Sequence, residues 1–299
     1  MTVRILQFGT TGQLARELLA QAKDFDAEIT ALSRAEADFA DPATLAKHLG
    51  AAKADLVVIA AAYTAVDLAE TERDLAFRVN AEAPAAIAAA LGPDGPGLVY
   101  VSTDYVFDGR KDAPYVETDL PNPLNVYGAS KLAGEERLLA AYPRALVLRT
   151  SWVVSSHGKN FVKTMLRLAG EGKPIRVVDD QFGRLTSARD LARFILSQAG
   201  RLASASKGDP AFGLHHFANA GEASWKDLAE GVFDIAMGPK APTVAASTTA
   251  EFAAPAARPA RSTLDTGKLE RTFGVTLRPW REALAEIVAE LQKVERSAA

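Results

Sequence analysis

Short hydrophobic runs alternate with helix-like segments through the first half of the chain. The predicted strands are residues 3–8, 27–32, 55–60, 97–102 and 145–149. Between them, apolar positions recur at helical spacing over residues 13–22, 42–49, 71–79 with 84–91, and 125–141. The strand-like run Leu56-Val57-Val58-Ile59 is apolar on both faces, as expected for a parallel strand covered by helices on each side. The pattern predicts an α/β fold of the Rossmann type, with a doubly wound parallel sheet.

The pattern becomes less regular after about residue 150. Helices are predicted at 159–169, 187–199, 224–236 and 279–292, with short strands near 175–178 and 213–217. Segment 238–262 is rich in Ala, Pro, Ser and Thr, which predicts extended loop and short strands. We therefore expect a nucleotide-binding Rossmann domain over residues 1–153, to which residues 181–200 return. A smaller, irregular α/β lobe, mainly residues 154–299, is expected to bind substrate.

Composition narrows the classes of partner. The chain has 34 basic and 37 acidic residues, for a formal net charge of -3. Because there is no basic field, neither nucleic acid nor a membrane is an expected partner. The absence of cysteine excludes disulfides and thiolate metal sites and suits the cytosol. No signal-peptide pattern or bilayer-length apolar run is found, so we predict a cytoplasmic protein.

A glycine-containing loop follows the first predicted strand. In Gly9-Thr10-Thr11-Gly12-Gln13-Leu14, the two glycines allow a sharp turn and close approach of the backbone to a pyrophosphate at the start of a helix. An ordinary tight turn is the alternative, since short glycine motifs are common. The position at the start of a βαβ unit favours dinucleotide binding, with Gly9, Thr11, Gly12, Gln13 and Leu14 as cofactor residues.

The end of the second strand indicates which dinucleotide is bound. Ser33 and Arg34 stand where an acidic residue would read the ribose of NAD, and a basic residue there suits the 2′-phosphate of NADP. We predict NADPH, with NADH left open as a second donor; a solvated Arg34 is the structural alternative. Asp38 and Phe39 are placed beside the adenine. The small residues Ala60, Ala61 and Ala62 are assigned to the cofactor site, although tight helix–sheet packing would also explain them.

Tyr127 and Lys131 form the most informative pair of polar residues. Four positions apart on a predicted helix, they share one face. An ammonium group beside a phenol favours the phenolate, so Lys131 is expected to lower the pKa of Tyr127 and to hold the nicotinamide ribose. Thr103, at the end of the fourth strand, can donate a hydrogen bond to a substrate carbonyl. We predict Thr103, Tyr127 and Lys131 as catalytic residues, with Tyr127 as proton donor. A plain amphipathic helix is the alternative.

Motifs along nearly the whole chain resemble the dTDP-4-dehydrorhamnose reductase family of the extended short-chain dehydrogenase/reductase superfamily. They are the glycine loop, Thr64-Ala65-Val66-Asp67, Ser102-Thr103-Asp104-Tyr105-Val106-Phe107-Asp108-Gly109, Asn125-Val126-Tyr127-Gly128-Ala129-Ser130-Lys131, Arg149-Thr150-Ser151-Trp152-Val153, Asp180-Gln181, Ser224-Trp225 and Arg258-Pro259-Ala260-Arg261-Ser262. The resemblance implies NADPH-dependent reduction of the 4-keto group of dTDP-4-dehydro-L-rhamnose to dTDP-L-rhamnose.

The resemblance also implies positions for the substrate. Val66, Tyr105 and Trp152 would line the sugar site, although Trp152 would also suit a hydrophobic core. Arg258 is a candidate for the nucleotide diphosphate because a guanidinium matches phosphate geometry. A surface arginine beside two prolines is an equally open alternative.

Departures from the family pattern bear on metal and assembly. Some relatives dimerise around magnesium through glutamates, and Glu17 matches one such position. Arg189 stands where a second carboxylate would be expected, which is electrostatically poor for a cation. We therefore predict no required metal, and a monomer or weak homodimer that binds a nucleotide sugar.

Two other functions remain open at this point. One is a regulatory subunit that binds NADP without turnover, similar to that of methionine adenosyltransferase. The other is a sugar-nucleotide epimerase or dehydratase that retains its oxidised cofactor. The Thr103, Tyr127 and Lys131 set favours a reductase over the regulatory subunit. Tightly held NAD in the purified protein would favour the epimerase.

Overall fold

The computed structural model describes residues 2–51, 53–172 and 174–298. Its strands are β1 Val3–Phe8, β2 Ala27–Leu32, β3 Leu56–Ile59, β4 Gly97–Thr103, β5 Ala145–Thr150, β6 Val153–Val154, β7 Ile175–Val178, β8 Phe182–Gly183, β9 Thr186–Ser187, β10 Gly213–His216, β11 Ala223–Ser224 and β12 Val244–Ser247. Its α-helices are α1 Gln13–Gln21, α2 Lys47–Ala51, α3 Val66–Ala69, α4 Arg73–Phe77, α5 Ala83–Leu91, α6 Val126–Ala141, α7 Phe161–Gly170, α8 Ala188–Ser204, α9 Trp225–Met237, α10 Thr249–Phe252, α11 Gly267–Phe273 and α12 Trp280–Ala298.

A six-stranded sheet lies at the centre of the fold. Its order is β10-β5-β4-β3-β1-β2, and every pairing is parallel. The predicted doubly wound sheet is therefore confirmed, and the first five strands lie within one or two residues of their predicted positions. Because β2 and β3 lie on opposite sides of β1, the winding reverses between β1 and β3. A crevice at the carboxyl ends of the strands is expected at that point.

Helices cover both faces of this sheet. On one face, α1 and α8 bury residues such as Leu18 and Ile195 against the strands. On the other, α5 and α6 contribute Ile87 and Leu138. A separate hydrophobic cluster joins α7, α9 and α12, with Val232 and Leu284 among its fully buried members. The smaller lobe therefore has its own core, while α8 and β10, from the second half of the chain, pack on or extend the central sheet. The division into nucleotide-binding and substrate-binding units stays a prediction.

Some segments differ from the sequence-based expectation. Residues 42–49 are not one helix. Pro42–Thr44 form a 3₁₀ turn, in which each backbone hydrogen bond joins residues three apart, and α2 begins only after it. Segment 238–262 contains α10, which Thr248 and Glu251 stabilise through a capping box. Helix α11 was not predicted; Leu269 and Phe273 hold it against the central core, so tertiary packing outweighs its initial glycine. Among the described residues, no helix combines the length and apolarity needed to cross a bilayer.

Candidate active site

The glycine loop packs directly on the end of β3. Gly9 has a φ of 101°, and a Cβ atom there would lie 3.1 Å from the backbone nitrogen of Ala61. Helix α1 begins after Gly12 without a side-chain cap, so the first amide groups of this helix are not satisfied by a local side chain. A side chain at position 9 would be strained and crowded. The loop therefore offers backbone N–H groups at a helix start, an arrangement suited to a phosphate.

Two adjoining cavities run along the carboxyl edge of the sheet. The larger has a volume of about 750 Å³ and joins the glycine loop to the ends of β2 and β3. Ten of the predicted cofactor residues line it: Gly9, Thr11, Gly12, Ser33, Arg34, Asp38, Phe39, Ala60, Ala61 and Ala62. The smaller, about 350 Å³, is lined by the remaining four, Gln13, Leu14, Tyr127 and Lys131, together with Ser102. The structure thus brings the predicted cofactor residues together along one elongated crevice, with dimensions typical of a ligand site.

At the end of β2, two charged side chains lie beside the larger cavity. Arg34 is 80% exposed, and its Nε atom lies 3.5 Å from Oδ1 of Asp38. Ser33 donates both its backbone N–H and its hydroxyl to Oε2 of Glu36, at 2.8 and 2.7 Å. These hydrogen bonds lower the pKa of the Glu36 carboxyl. Arg34 and Asp38, both singled out from the sequence, therefore line this end of the crevice, and Glu36, to which the sequence assigned no role, lies against Ser33.

Thr103 and Tyr127 meet where β4 and α6 converge. Asn125 caps α6 by accepting a hydrogen bond from the Gly128 N–H at 2.8 Å. A Cβ atom at Gly128 would lie 2.1 Å from the Tyr105 carbonyl oxygen, so only glycine lets the first turn of α6 lie against the residues after β4. This close approach brings the Tyr127 phenol near the Thr103 side chain. It also sets the Tyr127 and Tyr105 rings edge to face, with centroids 5.9 Å apart.

The environment of Tyr127 keeps its phenol protonated. Burial is the main cause that raises its pKa to about 12; the nearby Thr103 side chain opposes the rise, and the nearby Asp104 carboxyl adds to it. Part of the side chain still reaches the smaller cavity. At neutral pH this group holds a proton next to a space large enough for a ligand, which is what a proton donor requires.

The expectation that Lys131 lowers the pKa of Tyr127 is wrong for this structure. The Lys131 side chain is buried, and its Nζ donates to the Val101 carbonyl oxygen at 2.6 Å and lies 4.0 Å from the centroid of the Tyr100 ring. Burial lowers the pKa of Lys131 to about 7, while the charge of Glu135 opposes that change. Helical spacing placed the two residues on one face, but the ammonium is directed to a backbone carbonyl, and desolvation dominates at Tyr127.

Asp104 is a polar residue of the site to which the sequence assigned no role. Only 2% exposed, it accepts a hydrogen bond from the Ser262 hydroxyl at 2.5 Å and another from Thr103 at 3.1 Å. Burial raises its pKa to about 7, against these hydrogen bonds. Asp104 therefore joins the end of β4 to a segment of the second half of the chain. Its motif was recognised, but no local spacing reveals a partner so far along the chain.

The predicted sugar-site residues fall into two groups. Arg258 pairs with Asp67, with Nη2 2.9 Å from Oδ2, and lies near Tyr105. Its side chain is only 17% exposed, so it is not a solvated surface arginine. Val66 directly precedes Asp67 at the start of α3. The structure thus brings Val66, Tyr105 and Arg258 together.

Trp152 is held by a different set of contacts. It has a φ of 46°, which is unusual for a bulky residue. Its ring stacks on Trp225 with centroids 3.9 Å apart, and a Cβ atom at Gly183 would lie 2.9 Å from it. The ring is therefore clamped between β8 and the start of α9, and its exposure is intermediate.

The region around Glu17 contains ion pairs within the chain. Arg189 pairs with Glu286 at 3.0 Å and with Glu290, so α8 is bound to α12. Glu17 is 3% exposed, and burial raises its pKa. Within residues 2–51, 53–172 and 174–298, no group of three or more His, Cys, Asp or Glu is arranged to hold a metal ion. Whether the protein needs a metal stays untested.

A doubly wound sheet with a glycine loop after its first strand, and a Tyr-x-x-x-Lys pair beside its fourth, defines the short-chain dehydrogenase/reductase class of oxidoreductases. Comparison with known proteins narrows this class. The family model described as the RmlD substrate binding domain matches residues 3–293. The dTDP-4-dehydrorhamnose reductase of Sinorhizobium fredii NGR234 is 43% identical over 288 residues, which cover 96% of this chain and 97% of that protein.

Solved structures agree with the family match. A dTDP-4-dehydrorhamnose reductase from Clostridium acetobutylicum superposes with a TM-score of 0.89 at 37% identity, over 97% of this chain and 99% of that one. The Bacillus anthracis str. Ames enzyme, solved in complex with NADP, gives a TM-score of 0.89 at 34% identity, over 97% of this chain and 100% of that one. The chain belongs to the dTDP-4-dehydrorhamnose reductase family. The resemblance inferred from its motifs is confirmed.

Proposed function

We propose that this protein uses NADPH to reduce the 4-keto group of dTDP-4-dehydro-L-rhamnose, forming dTDP-L-rhamnose. One observation carries the proposal: a protonated Tyr127, close to Thr103, lines a cavity that also contains the start of the glycine-loop helix. Family membership supplies the substrate class, because relatives that match nearly the whole chain carry that enzyme name. A cytoplasmic location and a monomer or weak homodimer complete the proposal.

The residues along the crevice fit the proposed cofactor. The approach of Gly9 to the Ala61 backbone leaves room for a pyrophosphate that a side chain would fill. The free amides at the start of α1 suit its charge. Ser33 and Arg34 would hold the 2′-phosphate, with Asp38 and Phe39 near the adenine. NADPH, when bound, supplies the hydride for reduction of a ketone.

The polar residues beside β4 would handle the proton. Thr103 would turn its single hydroxyl hydrogen from Asp104 to the substrate carbonyl, and Tyr127 would give its proton to that oxygen as negative charge develops on it. Loss of the Tyr127 proton leaves a phenolate, whose charge favours the protonated form of the nearby Lys131. Lys131, whose pKa is lowered by burial, lines the same cavity as Tyr127.

The substrate would lie between Val66, Tyr105 and Trp152. Arg258 would hold the diphosphate of the nucleotide in exchange for its present partner Asp67, since a guanidinium pairs with either anion through two parallel hydrogen bonds. This assignment places the charged part of the substrate at the junction of the two lobes. The ketone would then face the Tyr127 phenol.

A coupled assay with freshly generated dTDP-4-dehydro-L-rhamnose tests the proposal directly. We expect NADPH to be consumed only when the keto sugar nucleotide is present, and a chelator to leave the rate unchanged. Binding of NADPH without consumption would contradict the proposal and favour a regulatory subunit. NAD retained through purification would contradict it in favour of an epimerase or dehydratase. A rate lost with chelator would reject the metal-free mechanism.

A further inference from the structure

Glu36 stands where the two nicotinamide cofactors differ. Its carboxylate accepts both donors of Ser33, the residue proposed to bind the 2′-phosphate. Its neighbours on either side, Ala35 and Ala37, line the larger cavity. The only feature that separates NADP from NAD is the phosphate on the adenosine ribose. A carboxylate that holds the proposed 2′-phosphate donor therefore affects how well that phosphate binds.

We propose that Glu36 determines cofactor selectivity by opposing the 2′-phosphate. The Ser33 N–H has a single hydrogen to donate, and Glu36 occupies it, so a phosphate must displace the carboxylate to use that donor. A phosphate brought to Ser33 would also be repelled by the negative charge of Glu36. An unphosphorylated ribose meets neither obstacle, and its 2′-hydroxyl can donate to a carboxylate as in NAD-binding folds. Glu36 thus lets the site accept NADH as well as NADPH, and the inference rests on the proposed cofactor site.

Asp38 also lines the larger cavity, but its carboxylate faces Arg34, whereas the Glu36 carboxylate holds the Ser33 donors and is therefore the anion that resists the phosphate. Arg34 attracts the phosphate but is largely exposed and only loosely paired with Asp38. The ring of His48 lies beside the Glu36 backbone, with Nε2 3.0 Å from the carbonyl oxygen, and its charge when protonated would stabilise the carboxylate. Arg34 and Glu36 therefore act in opposite directions on the same phosphate, and the balance between them sets the preference.

The hydrogen bonds from Ser33 to Glu36 could also serve only to stabilise the loop. The experiment must separate that structural role from an effect on the phosphate. Ser33 and Glu36 close a local turn, since the Glu36 and Ala37 N–H groups both donate to the Ser33 carbonyl oxygen. A purely structural Glu36 would affect every nucleotide equally. A selectivity residue would affect only nucleotides that carry the 2′-phosphate.

Calorimetric titration with 2′,5′-ADP and with 5′-AMP isolates the phosphate from the rest of the cofactor. Glu36→Gln removes the charge but keeps an acceptor for Ser33, whereas Glu36→Ala removes both. We expect the ratio of affinities for 2′,5′-ADP over 5′-AMP to rise about tenfold in Glu36→Gln, given the screened repulsion of a lost anion pair. The same ratio should rise further in Glu36→Ala. In both variants, high salt should bring the ratio back towards that of the wild type, because salt screens the repulsion.

Glu28→Gln is the matched control, because it removes the same charge from the opposite end of β2. The inference is overturned if both nucleotides change equally, if Glu28→Gln changes the ratio as much, or if neither nucleotide binds any of the proteins. These ligands carry no nicotinamide and need no sugar substrate. An enzyme inactive on the keto sugar but with the expected binding pattern would refute the proposed function and leave the role of Glu36 standing.

Discussion

The two ends of the crevice are built in different ways. At the glycine-loop end, the site is made of backbone and small side chains, with Gly9, Gly12 and Ala61 packed where β1 and β3 end. At the tyrosine end, it is made of polar side chains from distant parts of the chain. Asp67 and Arg258 are 191 residues apart in sequence, and Asp104 and Ser262 are 158 apart. Local sequence is therefore sufficient to recognise the first end, whereas the second exists only when both lobes are folded together.

The largest expected effect is on turnover at the tyrosine end of the crevice, with cofactor affinity at the glycine-loop end left unchanged. Tyr127→Phe should lower turnover about a hundredfold to ten-thousandfold, because it removes the proton donor. Affinity for NADPH should stay nearly unchanged, since the glycine loop is intact. Rates of NADPH oxidation and cofactor titration measure the two quantities. Tyr142→Phe, which removes a buried hydroxyl bound to the Pro96 carbonyl, is the control and should keep its turnover. Near-normal turnover in Tyr127→Phe would reject the assigned role.

The next prediction tests how the two lobes are joined. The pKa of Asp104 is raised by burial to about 7 in the folded protein, from an ordinary value of 3.8. Between these values the folded state binds a proton that the unfolded state does not. This group therefore makes stability fall as pH rises from about 4 to about 7, by about 1.4 kcal/mol for each unit of pKa difference. Asp104→Asn, a neutral isostere, should remove that part of the dependence.

Chemical denaturation across this pH range measures the Asp104 contribution. The variant should be more stable than the wild type above pH about 7, where the wild type carries the buried charge. An identical dependence in both proteins would show that Asp104 titrates normally. Loss of the Ser262 contact alone, tested with Ser262→Ala, should not remove the slope.

A smaller effect is expected for Arg258. Arg258→Ala should raise the KM for the nucleotide sugar roughly tenfold to a hundredfold, as expected for the loss of charged hydrogen bonds worth about 1.5–3 kcal/mol. Affinity for NADPH should not change, because Arg258 is not among the residues that line the two cavities of the proposed cofactor site. Arg261→Ala, which breaks the nearby pair with Glu222, is a matched control. An unchanged KM in Arg258→Ala would place the diphosphate elsewhere.

The smallest effect tests the glycine-loop end. Arg34→Ala should weaken NADPH binding by about fivefold while leaving NADH unaffected, since an exposed arginine contributes about 1 kcal/mol to phosphate binding. Lys23→Ala removes a positive charge from an exposed position outside the crevice and is the control. If the preference for NADPH does not change in Arg34→Ala, Arg34 is a solvated residue and Ser33 alone reads the phosphate.

The sequence alone determined the parallel sheet, the glycine loop and the shared helical face of Tyr127 and Lys131. Strand and helix periodicity and turn chemistry are local properties, so they can be recognised within a few residues. Tertiary structure decided that Lys131 donates to the Val101 carbonyl, that Asp67 holds Arg258, and that Leu269 and Phe273 stabilise α11. It also decided the pKa values of Tyr127 and Asp104. Partners and desolvation are contributed by segments far apart in the chain, and no local pattern specifies which of them will meet.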